Sequence, residues 1–324
     1  ATTSTTTTTS AQTGSLVNYI IFIESLDGKK VKARNGVTGG IDFSGTDPAM
    51  VLQSTVDALA RTGGSILLKQ GTYIWQGVCT LPKDLPRWLK IAGEGEVVIK
   101  LTVAGPRAFD FRKTADYDTF QKIWLENLII DCNNVGGQHH VVLGTYINGA
   151  FQRRINIEDL IVRDIRTINV PVDSSETNHR LNIFICPYHA GPSETQTCVK
   201  NVWIEDCDFQ GGNQGVVVGG GGSGSAGLNI FIDSIHILRC RHSLLSVQTS
   251  HFSSVNYHVG YLAFGGYVHI ADCYGEYSGD VGVEINALNA LVENTVIQDS
   301  CGPSFYQCNY NNPQSVRQQQ IAFK

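Results

Sequence analysis

Six short segments of this chain repeat one pattern, and that repetition constrains the fold more than any other feature. LENLII (from Leu125), IEDLIV (Ile157), IEDCDF (Ile204), IDSIHI (Ile232), IADCYG (Ile270) and VENTVI (Val292) all begin apolar, and five of the six place an acid next. Their third position reads Asn127, Asp159, Asp206, Ser234, Asp272 and Asn294. These residue types tolerate the left-handed backbone of a tight bend, and their side chains can bond to the same position one turn of chain away. The fourth position returns inside as Leu128, Leu160, Cys207, Ile235, Cys273 and, less well, Thr295. Spacings between the anchors are 32, 47, 28, 38 and 22 residues. The shortest corresponds to one bare coil of a stacked repeat, and the excess in the others is loop.

A second family of strand-like segments accompanies the first: HVVLGT (His140), LNIFIC (Leu181), GVVVGG (Gly215), LLSVQT (Leu244), GVEINA (Gly282) and SFYQC (Ser304). Together the two families describe a three-sided coil. Upstream lies FSGTDPAMVLQSTVDALARTGGSILLKQGTYIW, where Thr46 or Asp47 caps a helix with Pro48 at its first position. Leu52, Val56 and Leu59 share one face of that helix, and Gly63 and Gly64 end it. This block resembles the N-terminal cap of pectate-lyase-like β-helix proteins, in which an amphipathic helix plugs the open end of the coil and a Gly-Thr-Tyr turn enters the first rung.

The resemblance covers roughly residues 40 to 310. It implies an all-β chain, a right-handed single-stranded parallel β-helix with an N-terminal capping helix. The expected organisation is a Thr-rich extended segment over residues 1–18 and a β-helix domain over 19–324, with the cap helix at about 47–61 and coils at about 65–310. The opening ATTSTTTTTSAQTG has high β propensity and is expected to lie extended against this or a neighbouring subunit.

Hydrophobic residues make up 42% of the 324 positions, enough for a sizeable core, while charged residues reach only 16%, against about a quarter in an average globular chain. Gly, Thr, Ser, Asn and Gln replace the missing charge, a palette of extracellular β proteins. Net charge of −5 and a pI near 6.0 offer no basic footprint for a phosphate backbone, so nucleic acid is not an expected partner. Apolar runs such as Ile20 to Ile23 fall far short of the roughly 20 residues of a spanning helix, so membrane insertion is not expected. A Thr-rich start at Ala1 reads as a secreted chain after removal of its signal peptide, outside the cell or on its surface. Nine cysteines occur without a CxxC pair, which argues against a zinc site. Cys207 and Cys273 fit the core, and Cys186 with Cys198 or Cys301 with Cys308 are candidates for disulfides closing short loops.

In the resembled family the substrate cleft lies over the outward residues of the second strand family. Alternation places His140, Val142, Gly144, Asn182, Phe184, Cys186, Val217, Gly219, Ser246, Gln248, Glu284 and Asn286 there, with a single carboxylate among them. A calcium-dependent lyase of that family has a cluster of acidic oxygens with a basic residue nearby, and its hydrolases carry several aspartates. Neither pattern is present, so no cofactor is expected and calcium is at most a weak candidate. Asp280 ends a turn ahead of Glu284, and the pair is the candidate catalytic couple, the alternative being a turn cap and a solvated strand residue. Gln248, His242 and Arg241, with Asn286, Phe184 and Tyr188, are the candidate substrate-binding residues. Tyr146, Tyr188, His189, His251, Phe252, Tyr257, His258 and Tyr261 read as loop residues suited to sugar faces or to an interface. The acid column Glu126, Glu158, Glu205, Asp233 and Glu293 reads as a solvated face.

Two functions follow as expectations. One is an extracellular protein that binds polysaccharide or cell-surface glycan and is a candidate hydrolase or lyase. The other is a non-catalytic structural or adhesive surface component, such as a filament subunit or virion fibre, self-associating through its N-terminal strand.

Overall fold

A computed structural model describes residues 17–80, 88–103, 108–110, 118–135, 139–144, 146–147, 150–151, 155–171, 181–186, 197–212, 214–219, 230–243, 257–260, 267–276, 283–285, 289–298, 305–307 and 320–323. The chain is all-β with one helix among these residues. The Thr-rich opening falls outside them.

The described chain opens with an antiparallel meander of Tyr19–Ile23, Val31–Asn35 and Ile41–Gly45. The helix Pro48–Ala58 follows, where the expected start was realised: Asp47 Oδ1 accepts from the Ala49 N–H at 3.1 Å, and Pro48 occupies a position where a missing N–H costs nothing. Val51, Leu52, Val56 and Leu59 are buried along one face. Gly63 terminates the turn with φ +72° and donates to the Leu59 carbonyl at 2.9 Å. A Cβ there would stand 2.6 Å from the Trp88 carbonyl oxygen, so glycine is required by conformation and by space.

From Gly64 onward the chain passes back and forth between two sheets. The main path of the longer sheet stacks, in chain order, Gly64–Trp75, Trp88–Leu101, Asp118–Asp131, Ile155–Val170, Thr197–Glu205, Ile230–Leu238, Tyr267–Ala271, Asn289–Glu293 and Gln320–Phe323. A branch of the same sheet adds Asp208–Gly211, Arg241–Ser243, Tyr274–Glu276 and Val296–Gln298. The second sheet stacks Cys79–Thr80, Phe109–Asp110, His139–Gly144, Leu181–Cys186, Gln214–Gly219, Tyr257–Gly260, Val283–Ile285 and Phe305–Gln307. Outside the meander and the short pair Tyr146–Ile147 and Ala150–Phe151, the pairings among the described residues are parallel. Each strand therefore lies beside the strand of the previous pass, in register.

Register aligns like with like. One inward column runs Leu89, Ile123, Leu160, Val202, Ile235, Val268 and Ala290, and the next runs Ile91, Leu125, Val162, Ile204, Ile237, Ile270 and Val292. All fourteen are 5% exposed or less. Burying each Val, Leu or Ile of these columns contributes about 1.5–3 kcal/mol, so the two columns are a substantial source of cohesion between passes.

The bend that follows them lies at Asn127, Asp164, Asp206, Arg239, Asp272 and Asn294, each with φ between 47° and 56°. Four of these are the expected corner residues. Asp159 and Ser234 are not corners: they sit mid-strand, where Asn201 donates to Asp159 Oδ1 at 2.9 Å and Ser234 donates to Asn201 Oδ1 at 3.0 Å. Each of these long strands offers an earlier and a later place for the bend, Asp159 or Asp164 and Ser234 or Arg239, and pairing with the previous pass selects the later one. Arg163 must stand beside Glu126 for Leu160 and Val162 both to reach the core.

The acid column changes with it. Its true members are Glu126, Arg163, Glu205, Leu238, Ala271 and Glu293, so a cation separates the first two carboxylates. Glu158 instead pairs with Lys200, and Asp233 precedes the mid-strand Ser234. Past the corner, Cys207, Cys240 and Cys273 succeed one another inside as thiols outside any disulfide, at most 2% exposed. Cys79 and Cys132 are also buried thiols, and burial pushes Cys79, Cys132 and Cys240 up out of the reactive range. The side chains of Cys186, Cys198, Cys301 and Cys308 lie outside the described residues. No helix among the described residues is long and apolar enough to cross a membrane.

Candidate functional site

The eight-stranded sheet carries the site. Cys79, Phe109, Ile183 and Val216 form one buried register column on it, and Ile285 belongs to a second, two residues further along the strands. Between the two lies the alternate column, which in register order reads Thr80, Asp110, Val142, Phe184, Val217, His258, Glu284 and Tyr306. Successive residues of a strand belong to opposite faces, so in sequence this column alternates with the two buried ones. Neighbouring members are one strand apart, about 4.8 Å.

Two expected site residues, Glu284 and Phe184, share this column. Sequence reasoning missed a third, His258, by assigning it to a loop; the strand there is Tyr257–Gly260, and it takes the place expected for LLSVQT, which lies outside the described residues. Asp280, Gln248, Asn286 and Tyr188 also lie outside them.

His242 requires correction as a substrate-binding residue. It is fully buried, stacked in register between Phe209 and Gly275, with Nε2 3.1 Å from the Gly211 carbonyl oxygen. Asn182 is likewise buried, not outward: its amide donates to the same carbonyl at 3.2 Å and its Oδ1 accepts from the Thr167 hydroxyl at 2.5 Å. A polar cluster in the core thus ties the two sheets together, because each buried polar atom must find a partner once water is excluded. Arg241 is exposed, but it belongs to the branch of the longer sheet, where its guanidinium lies 5.1 Å from the Tyr274 ring centroid. It does not share a sheet with Glu284.

The outer face of the longer sheet offers aromatics as well. Lys90, Trp124, Ile161, Trp203, His236, His269 and Leu291 form one half-buried column. Three of its rings already have a face engaged. Trp203 and His236 stack at 3.8 Å and 7°, and the Lys90 ammonium sits 3.8 Å over Trp124. A sugar needs an open ring face, so this column reads as an internal ladder and not as a sugar platform. Burial and the adjacent His269 hold the His236 imidazole below its usual range, while His269 Nε2 lies 2.9 Å from Glu293 Oε1.

A cleft of about 260 Å³ runs over the corners, lined by Glu96, Asn127, Asp164, Arg166, Asp206 and Asp208 among others. Burial and the nearby Asp206 and Glu126 push Asp164 upward, whereas the Arg239 guanidinium, donating to both Asp206 oxygens at 2.6 and 2.9 Å, holds Asp206 down. No group of three or more His, Cys, Asp or Glu able to hold a metal occurs among the described residues.

No protein-family model, no curated protein and no solved structure matches this chain.

Proposed function

We propose that the chain is a secreted right-handed parallel β-helix of the pectate-lyase-like type that binds polysaccharide over its eight-stranded sheet, with Glu284 as the residue that turns it over. What supports the architecture is the in-register parallel stacking of successive passes with a left-handed corner that is Asn or Asp at five of six places, together with the strong right-handed preference of parallel crossovers. The observation that carries the function is the register column itself, which gathers Phe184, His258, Glu284 and Tyr306 between two buried columns of the same sheet. Aromatic, acidic and imidazole groups in one line are what sugar binding and glycosidic chemistry use. The test is sugar release from a panel of polysaccharides, which Glu284→Gln should abolish. Turnover that survives the substitution, or none in the parent chain, removes the catalytic reading.

A second reading, a structural or adhesive surface component, is favoured by the cross-strand pairing of charge. Lys90 with Glu126, Arg163 with Glu205 and Arg239 with Asp206 link neighbouring passes and stiffen the stack. Deleting residues 1–14 should then lower the assembly mass in light scattering. An unchanged mass rejects assembly through that segment.

A further inference from the structure

We infer that the Thr-rich opening, residues 1–16, folds back as an added strand on the open edge of Ile41–Gly45 in its own chain. This placement is independent of the polysaccharide reading above, and it is the intramolecular rival of assembly between copies through the same segment.

Ile41–Gly45 ends the longer sheet on the N-terminal side, and among the described residues only Val31–Asn35 pairs with it. Its other edge therefore presents unpaired N–H and C=O groups, a template for any extended segment. Lysine and proline, which guard many such edges, are missing from IDFSG. Its one carboxylate is already engaged: Asp42 Oδ2 accepts from the Tyr19 hydroxyl at 2.9 Å and from Asn35 Nδ2 at 2.8 Å, on the two strands behind it. Covering the edge therefore strands no unpaired charge. Ile41 is 46% exposed and Val37, in the turn before it, is 72% exposed, so apolar surface on the strand and in its turn is left uncovered.

Chain direction and reach single out the opening as the cover. Tyr19 pairs with Asn35, Arg34 pairs with Ile41, and the Gly36 N–H donates to the Asn18 carbonyl at 2.8 Å. Val17 therefore lies at the end of the meander where Ile41–Gly45 begins. From there to a place beyond that strand is three strand spacings, about 14 Å, which about four or five extended residues cross. Another 5 match the strand, so 16 residues suffice. A segment that runs along the edge and then crosses to Tyr19 is antiparallel to Ile41–Gly45. With the three strands of the meander it makes a Greek key, a connection that antiparallel sheets use widely. Residues 1–16 hold eight Thr, no charged side chain and no proline, so they suit a pleated edge and each keeps an N–H to donate. A tether this short holds the segment at its own edge at an effective concentration on the order of millimolar, against which another copy at micromolar concentration competes poorly.

The experiment is hydrogen exchange read by mass spectrometry over residues 41–45, in the full chain and in a chain lacking residues 1–14. That peptide should exchange about tenfold or more slowly in the full chain, and diluting the protein should leave the difference unchanged. Thr7→Pro combined with Thr8→Pro in the full chain removes donors without shortening the segment. It should release residues 41–45 while the helix Pro48–Ala58 stays as protected as in the parent, and it decides the matter where the deletion disturbs that helix as well. Equal exchange over residues 41–45 in the parent and in the proline variant overturns the placement. Protection that disappears on dilution, or an assembly mass that falls when residues 1–14 are removed, gives the edge to the opening of another copy and overturns it equally.

Discussion

Removing the Arg163 guanidinium should weaken the stack at one identifiable seam. Its Nε and Nη2 donate to Glu205 Oε2 at 2.9 and 2.5 Å, and Nη1 lies 4.0 Å from Glu126. The Arg163 side chain is 35% exposed, but that of Glu205 is only 10% exposed, so the pair is neither a surface ion pair nor a fully buried one. Exposed pairs contribute about 0–1 kcal/mol, and stripping the partner from a buried charge costs about 3–5 kcal/mol. Arg163→Met should therefore cost about 2 kcal/mol. Part of that is repulsion: Glu126 and Glu205, then two strands or about 9.6 Å apart, repel by about 0.4 kcal/mol in water and about 1.7 kcal/mol at an effective dielectric of 20. Adding Glu205→Gln should return about 1 kcal/mol, because the stranded charge is gone while the amide can still bond. Urea unfolding followed by tryptophan emission reads all three variants, Trp203 being on the same strand as Glu205. A loss below about 0.5 kcal/mol for Arg163→Met, or a double variant that loses the sum of its singles, refutes the reasoning.

Four further outcomes follow from other parts of the structure. Asp164, held above its usual range, is destabilising when charged, so Asp164→Asn should raise the unfolding midpoint at neutral pH, with the gain fading as pH falls toward about 4. Asp206 has the opposite sign: Arg239 holds it down, so its contribution is present above the ordinary aspartate value and lost on further acidification, and Asp206→Asn should flatten that part of the acid limb in a pH series of urea midpoints. His236 resists protonation when folded, so stability should decline as pH falls below about 6.5, and His236→Phe, which preserves the stack on Trp203, should remove that decline in thermal melts. Gly211→Ala should cost about 2 kcal/mol or more in chemical denaturation, since φ is +82° and a Cβ would stand 2.4 Å from the Val170 carbonyl oxygen.

The sequence by itself determined the all-β composition, the helix with Pro48 at its start and its Gly63 stop, and four of six corners. Each is a local signal. A proline at the first helical position, a glycine forced to positive φ, and an Asn or Asp between two inward residues state their conformation within a few positions. Tertiary structure decided everything that depends on register. IEDLIVRDI contains two acids that could have turned the corner, and only pairing with Asp118–Asp131 selected Asp164 over Asp159. The same dependence moved Arg163 into the acid column, turned His242 and Asn182 inward, and brought His258 from an expected loop onto a strand beside Glu284. Alternation along a strand is readable from one segment, but which residue lies next to which across strands depends on loop lengths that carry no period. A slip of one residue sends every side chain of a strand to the opposite face, so a site built from cross-strand neighbours appears only when the passes are stacked.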